Sequence, residues 1–247
     1  MVENHEIIEE FINGAIACIR VTNDCSSIKK CHLVLEAASE NMDIKVKLFT
    51  TIKANCEKTP LFLTNTSSIP ISELVSKTGL TGQIIGYHFY NPPQKQKLVE
   101  LVIPSNSSAE IKETAEVITK LLRKTTIPSS DVAGFIGNGH FMREFLQADK
   151  MVGNDHSIIP DIDGITRDLL IRPMGIFQLI DYVGLDVCQS ILKVMSNYLK
   201  KELSSQLINQ YMAAGVKGGQ NPDGSQKNGF FLYEKHKIAG YFSLTKN

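Results

Sequence analysis

Apolar and polar positions follow two periods in the first half of the chain. His32-Leu33-Val34-Leu35-Glu36-Ala37 reads as a buried strand. Residues 43–56 follow with Ile44, Leu48, Ile52 and Cys56 on one helical face. Leu61–Thr64 is a strand again, and Ile84–Phe89 and 98–103 are two more. Ser107 or Ser108 caps a predicted helix over 109–124, with Ile111, Ala115, Ile118 and Leu122 at helical spacing. Strands alternating with helices predict a mostly parallel α/β sheet.

The pattern changes near Gly134. Helical spacing runs over 135–152, 161–169, 176–183, 186–198 and 202–212. Residues 218–228, rich in Gly, Asn, Gln and Ser, read as a mobile loop. The chain thus divides into an α/β domain over 1–130 and an all-helical domain over 131–247, joined at 129–133.

Composition narrows the class. The 247 residues hold 26 Lys+Arg against 26 Asp+Glu and are 43% hydrophobic. A chain of this size buries roughly 70–75% of its unfolded surface without a metal or disulfide staple. Zero net charge argues against non-specific nucleic-acid binding. No run of 18 apolar residues occurs, so no membrane span is expected. Glu3, Glu6, Glu9 and Glu10 at the front fit neither a secretory signal nor a transit peptide. Five cysteines without a C-x-x-C pair fit free thiols in a reducing compartment, and the expected location is cytoplasmic.

Few residues offer chemistry. His5, His156 and His236 lie in polar surroundings and read as solvated; His32 opens a strand and His140 lies early on a helix. His88 differs, because it sits near the end of a buried strand that Pro92-Pro93 terminates. The next apolar run contains one acid, Glu100. If the two strands form an antiparallel hairpin centred near Gln94, His88 and Glu100 lie opposite one another, with Cβ atoms roughly 5 Å apart. A carboxylate there fixes the imidazole tautomer and stabilises the imidazolium. The pair reads either as proton-transfer machinery or as a structural buried ion pair. Asn65-Thr66-Ser67-Ser68 follows a strand, where ligands of parallel sheets bind; it reads either as a ligand loop or as the cap of the next helix. Gly134-Phe135-Ile136-Gly137-Asn138-Gly139 opens the helical half and is not a nucleotide loop, and the chain holds no G-x-G-x-x-G and no Walker A sequence.

Taken in order, these segments resemble the L-3-hydroxyacyl-CoA dehydrogenase family. His88-Phe89-Tyr90-Asn91-Pro92 through Leu98-Val99-Glu100 resembles its H-F-[FY]-N-P and L-V-E segment. Residues 65–68 match upstream, residues 133–139 resemble P-G-F-[IV]-x-N-R, and residues 172–186 resemble Y-P-M-G-P-F-E-L-x-D-x-V-G-L-D. The resemblance covers about residues 10–233. It implies a truncated Rossmann-type sheet followed by a helical substrate and dimerisation domain. His88 would be the general base, Glu100 its orienting partner, and Ser67 and Asn138 the contacts to the reacting oxygen of the substrate. Glu40, Lys45 and Asn65 would touch the nicotinamide half of NAD. The implied reaction interconverts (S)-3-hydroxyacyl-CoA and 3-oxoacyl-CoA with NAD, a step of fatty acid β-oxidation, in a homodimer built through the helical domain.

Departures from the family pattern qualify this. The family opens with a strand, a glycine-rich turn, a helix, a second strand and a ribose-binding acid; roughly seventy residues of that unit are not in the chain. NAD binding would then be weakened or lost, and the strand over 32–37 would expose an apolar edge. Ala133 replaces Pro, Gly139 replaces Arg and Gln96 replaces Met. Three readings follow: a dehydrogenase whose front strands come from a second polypeptide, a truncated non-catalytic paralogue acting as an acyl-CoA-binding or structural dimer, or a structural or storage protein built on the same fold. The pairs Lys29-Lys30, Arg123-Lys124 and Lys200-Lys201 read as solvated faces, and residues 174–177 as core.

Overall fold

The computed structural model describes residues 2–234 and 237–244, with side chains from residue 9 onward. The expectations for the His5 and His236 side chains lie outside what is described. The first half runs α1 (Val2–Ala17), β1 (Leu33–Glu36), α2 (Met42–Asn55), β2 (Leu61–Thr64), α3 (Ile71–Thr78), β3 (Ile84–Phe89), β4 (Leu98–Val102), α4 (Ala109–Leu121) and β5 (Thr125–Ser129). Its sheet has the order β1-β2-β3-β4-β5. All neighbours are parallel except β3 and β4, which form the antiparallel hairpin expected from the sequence. This is a Rossmann-like, mostly parallel α/β sheet.

Every residue of β2 is buried. A continuous apolar run is what a strand covered on both faces requires. On one face Phe62 and Ile84 pack with Phe49, Leu74 and Val102. On the other, Leu63, Ile85, Tyr87 and Val99 pack with Ile111 and Ala115 of α4. The Ser108 side chain accepts from Ile111 N and caps α4. The buried stripe of α2 is Lys45, Phe49 and Ile52, while Ile44 is half exposed. The sequence expectation of Ile44 and Leu48 on that face is therefore corrected by one residue. The reason is electrostatic: the helix turns Lys45 inward to meet a buried carboxylate.

Three elements of this half escaped the sequence pattern: α1, α3 and β5. Helix α3 spans only eight residues. Strand β5 is mostly exposed and carries Pro128, which an edge strand tolerates. The other edge of the described sheet is β1, where Leu35 is half exposed, as the sequence implied. Helix α1 likewise exposes Phe11, Ile12 and Ile16.

The second half contains α5 (Gly137–Val152), α6 (Ile159–Asp168), α7 (Ile176–Val183), α8 (Leu185–Leu199) and α9 (Gln206–Ala213), then a hairpin of β6 (Phe231–Glu234) and β7 (Lys237–Tyr241). Phe145, Phe177, Tyr211 and Phe230 form an aromatic cluster at its centre. Buried Asp163 accepts from Phe177 N at 2.8 Å and Gln178 N at 2.9 Å, so it caps α7 from a neighbouring helix. Fully buried Asp181 accepts from Phe230 N and Phe231 N and from the Tyr233 hydroxyl, which ties the hairpin to α7. Residues 218–228 are cross-braced, contrary to the mobile loop expected. Gly219 N donates to Asp181 O, Lys227 N to Gly219 O, and Gly218 N to Asn228 O. Polar composition suggested solvation, but these backbone groups are satisfied within the protein.

Candidate active site

The β3–β4 register sets His88 opposite Glu100. His88 Nδ1 lies 2.6 Å from Glu100 Oε2, with both side chains largely buried. The other carboxylate oxygen accepts from Ile136 N and Gly137 N, each at 2.8 Å. These N–H groups open α5, where unpaired donors and the helix dipole favour a negative charge. The chain reaches this position through Gly134 and Phe135, both left-handed, with φ of 85° and 48°. For Phe135 that conformation carries strain of order 1–3 kcal/mol. At Gly134 it is this positive φ that favours glycine, since the nearest atoms to an added Cβ belong to the flexible end of Met195 on α8.

Burial pushes the Glu100 carboxyl up, but the bonds from His88, Gly137 and Ile136 outweigh it and hold the acid below its usual range. An ionised Glu100 places the imidazole proton on Nδ1, so Nε2 presents a lone pair.

A second polar cluster lies at the carboxyl ends of β1 and β2. Glu40 Oε1 accepts from Thr66 Oγ1 at 2.7 Å, Ser67 N at 2.9 Å and Ser68 N at 2.8 Å. Burial raises the Glu40 carboxyl; the Thr66 hydroxyl, Lys45 and Ser68 outweigh it, and the net shift is downward. Asn138 Nδ2 donates to Ser67 O at 3.1 Å, joining α5 to this loop. Asn65 Oδ1 accepts from Phe89 N at 2.8 Å, which braces the strand that carries His88.

The sequence-predicted residues thus separate by environment. His88, Glu100, Ser67, Asn138, Asn65 and Glu40 gather at one end of the sheet. Lys45 does not present itself to a ligand: it is 1% exposed, and its ammonium meets Glu36 at 2.8 Å, Ala38 O at 3.2 Å and Glu40 at 3.6 Å. In this structure it is a buried counter-charge for Glu36, whose second oxygen accepts from Thr64. The acid closing the apolar run at 33–36 was the signal that a cation must be found nearby. Lys124 departs from a solvated face in the same way: its Nζ donates to Pro93 O and Gln96 O and ties down the β3–β4 turn. His156 is half-buried, its ring 6.0 Å from that of Tyr211, not fully solvated. Sequence reasoning also passed over Tyr90, whose ring lies 5.4 Å from His88.

The resemblance implies NAD. The half-buried Ser67 hydroxyl, the Asn65 amide and the Glu40 carboxylate, 30% exposed, suit an amide and a ribose, so the residues present fit the nicotinamide end. A dinucleotide pyrophosphate needs backbone N–H groups on a glycine-rich turn at a helix N-terminus. The described residues do not build that turn, and no G-x-G-x-x-G occurs in the sequence.

An α/β sheet of this order, a buried His–Glu pair at its end and a helical partner define a two-domain oxidoreductase of the dinucleotide-dependent class. Residues 1–132 match the 3-hydroxyacyl-CoA dehydrogenase NAD binding domain, and residues 134–228 match the C-terminal domain of the same family. A probable 3-hydroxybutyryl-CoA dehydrogenase of Deinococcus radiodurans is 34% identical over 214 residues, covering 85% of this chain and 76% of that one. The mitochondrial hydroxyacyl-coenzyme A dehydrogenase of Mus musculus is 31% identical over 191 residues, covering 77% and 61%. The structure of (S)-3-hydroxybutyryl-CoA dehydrogenase from Ralstonia eutropha superposes with a TM-score of 0.81 at 27% identity, covering 95% of this chain and 82% of that one. The chain belongs to the 3-hydroxyacyl-CoA dehydrogenase family, whose members are NAD-dependent oxidoreductases.

Proposed function

We propose that the protein interconverts (S)-3-hydroxyacyl-CoA and 3-oxoacyl-CoA, as a step of fatty acid β-oxidation, and that His88 is its proton acceptor. The observation that carries this reading is the buried His88–Glu100 pair, with Nδ1 committed to a carboxylate and Nε2 left for substrate. NAD, when bound, supplies the hydride acceptor. His88 Nε2 takes the hydroxyl proton in the oxidative direction and returns it in the reductive one. Glu100 keeps the ring oriented and stabilises the imidazolium, while Ile136 N and Gly137 N keep Glu100 ionised. Ser67 and Asn138 hold the reacting oxygen of the substrate, and Asn65 and Glu40 face the nicotinamide end. Residues 1–130 would serve the dinucleotide, and 131–247 the acyl chain and a homodimer contact.

The pyrophosphate-holding turn would be carried on further strands added along the outer edge of β1. Half-exposed Leu35 and the exposed Phe11 and Ile16 support such a cover. Five free thiols suit a reducing compartment such as the cytoplasm. The alternative reading is an acyl-CoA-binding dimer without turnover.

The test is NADH oxidation with acetoacetyl-CoA by the purified chain, with NADH binding titrated in parallel. Turnover is expected, and His88→Gln is expected to lower it about a hundredfold to ten-thousandfold while the far-UV spectrum stays unchanged. Undiminished turnover in that variant removes His88 from the mechanism. A folded wild-type chain with neither binding nor turnover supports the second reading.

A further inference from the structure

Beside the His–Glu pair stands a phenol that neither strand pairing nor helix capping explains. Tyr90 follows β3 directly, and its ring centroid lies 5.4 Å from that of His88. Its hydroxyl hydrogen-bonds Glu100. Space for it comes from α5: a Cβ added to Gly137 would stand 2.4 Å from the Tyr90 hydroxyl oxygen and 2.8 and 3.0 Å from two ring carbons. Gly137 is helical, so it is not there for backbone freedom; its value is the missing side chain. The same Gly137 donates its N–H to Glu100 at 2.8 Å. One glycine therefore both seats the phenol and bonds the carboxylate that the phenol reaches.

We propose that Tyr90 is a positioning residue for the His88–Glu100 pair, donating its hydroxyl proton to the Glu100 carboxylate from a seat that only glycine at position 137 leaves open. A third donor on Glu100 spreads its negative charge over His88, the α5 N-terminus and the phenol. The carboxylate then holds an imidazolium less tightly than it would with His88 and the two backbone donors alone. The phenol stays protonated: burial raises it, and the adjacent Glu100 charge raises it further. Glu100 and Tyr90 are the ionisable groups that face His88 among the described residues; Phe135, 6.1 Å from the ring, adds an apolar wall. The effect on catalysis rests on His88 being the proton acceptor, as proposed above; the effect on the pair itself does not.

The experiment is an NMR titration of the His88 ring in the full chain, which needs no cofactor, followed by the pH profile of turnover. Tyr90→Phe removes one oxygen and keeps the ring. The His88 transition is expected to move to higher pH, since Glu100 regains charge density for the imidazolium. A transition at the wild-type pH overturns the proposal, because a purely packing role would leave it there. Gly137→Ala is expected to displace the phenol and move the transition in the same direction. Combining it with Tyr90→Phe adds little further shift and recovers part of the stability, since the hydroxyl clash goes while two close ring carbons stay. Independent, additive shifts would separate Gly137 from Tyr90 and overturn the seat. If Gly137→Ala does not fold, Tyr90→Phe alone decides. An upward shift without a matching change in the turnover profile keeps the contact and rejects the dehydrogenase reading; no shift with a His88-dependent turnover does the reverse.

Discussion

Glu100 is the residue on which most of the site converges. It gathers the imidazole, two backbone N–H groups and the Tyr90 hydroxyl, which together outweigh the upward push of burial. Its folded value is held below the unfolded one. Its contribution to stability is therefore present above about pH 4.3 and is lost as the pH falls through the lower folded value. Glu100→Gln keeps the shape but removes the charge and turns an amide NH2 toward existing donors. A fall in kcat of about a hundredfold or more is expected with the fold retained. Loss of activity in step with loss of the circular dichroism signal would instead make the pair structural.

At the scale of elements, two buried aspartates organise the helical half. Asp163 caps α7, and Asp181 at the other end of α7 holds the start of β6. Burial pushes Asp181 up to about 7, against the pull of the Phe231 and Phe230 N–H groups and the Tyr233 hydroxyl. Protonated Asp181 thus favours the folded state. That contribution is complete below about pH 4 and is lost as the pH rises through about 7. The urea midpoint is expected to decline between about pH 4 and pH 7 and to level off above that, because only in this window does the folded state hold a proton that the unfolded state has lost. A carboxyl carbon signal for Asp181 that titrates near the ordinary aspartate value would refute that cause. Gly229 leaves no alternative to this arrangement, since a Cβ there would stand 1.9 Å from Asp181 Oδ1.

At the scale of the whole molecule, two groups of exposed apolar residues stand beside others on the described surface. One comprises Phe11 and Ile16 of α1 with Leu35 of β1. The other lies on and after α6, where Ile165 and Leu169–Ile171 are exposed and Ile171, at 92%, is a β-branched residue with φ of 51°. The proposed homodimer would cover the second patch, because a contiguous apolar surface of that kind marks an interface. Ile171→Asp is expected to convert a dimer to a monomer in light scattering, with Tm changed little since the side chain packs on nothing within its own chain. A dimer that survives this change would place the contact elsewhere. The first patch would be covered by added strands, and NADH affinity is the measure that separates a complete dinucleotide site from a half-site.

How much of this was legible before folding depends on the distance over which a fact is decided. Periodicity marked β2, β3, α7 and the cap of α4 within a residue or two, because strand and helix repeats are local properties. The facing of His88 and Glu100 was legible too: a hairpin makes residues equidistant from its turn into partners, so counting sufficed. Local pattern could not rotate α2, since Lys45 turns inward only because Glu36 on β1 is buried beside it. Nor could it show that residues 218–228 are braced, or that Asp181 awaits N–H groups 49 and 50 positions away. The sequence by itself determined strands β1–β4, the helical character of the second half, the family and the pair at the sheet end, all carried by near neighbours and simple periods. Only the tertiary structure decided which charges are buried, which N–H groups meet them and that Gly137 makes room for Tyr90. Those choices depend on chain segments brought together from afar, where desolvation makes every unpaired polar group costly.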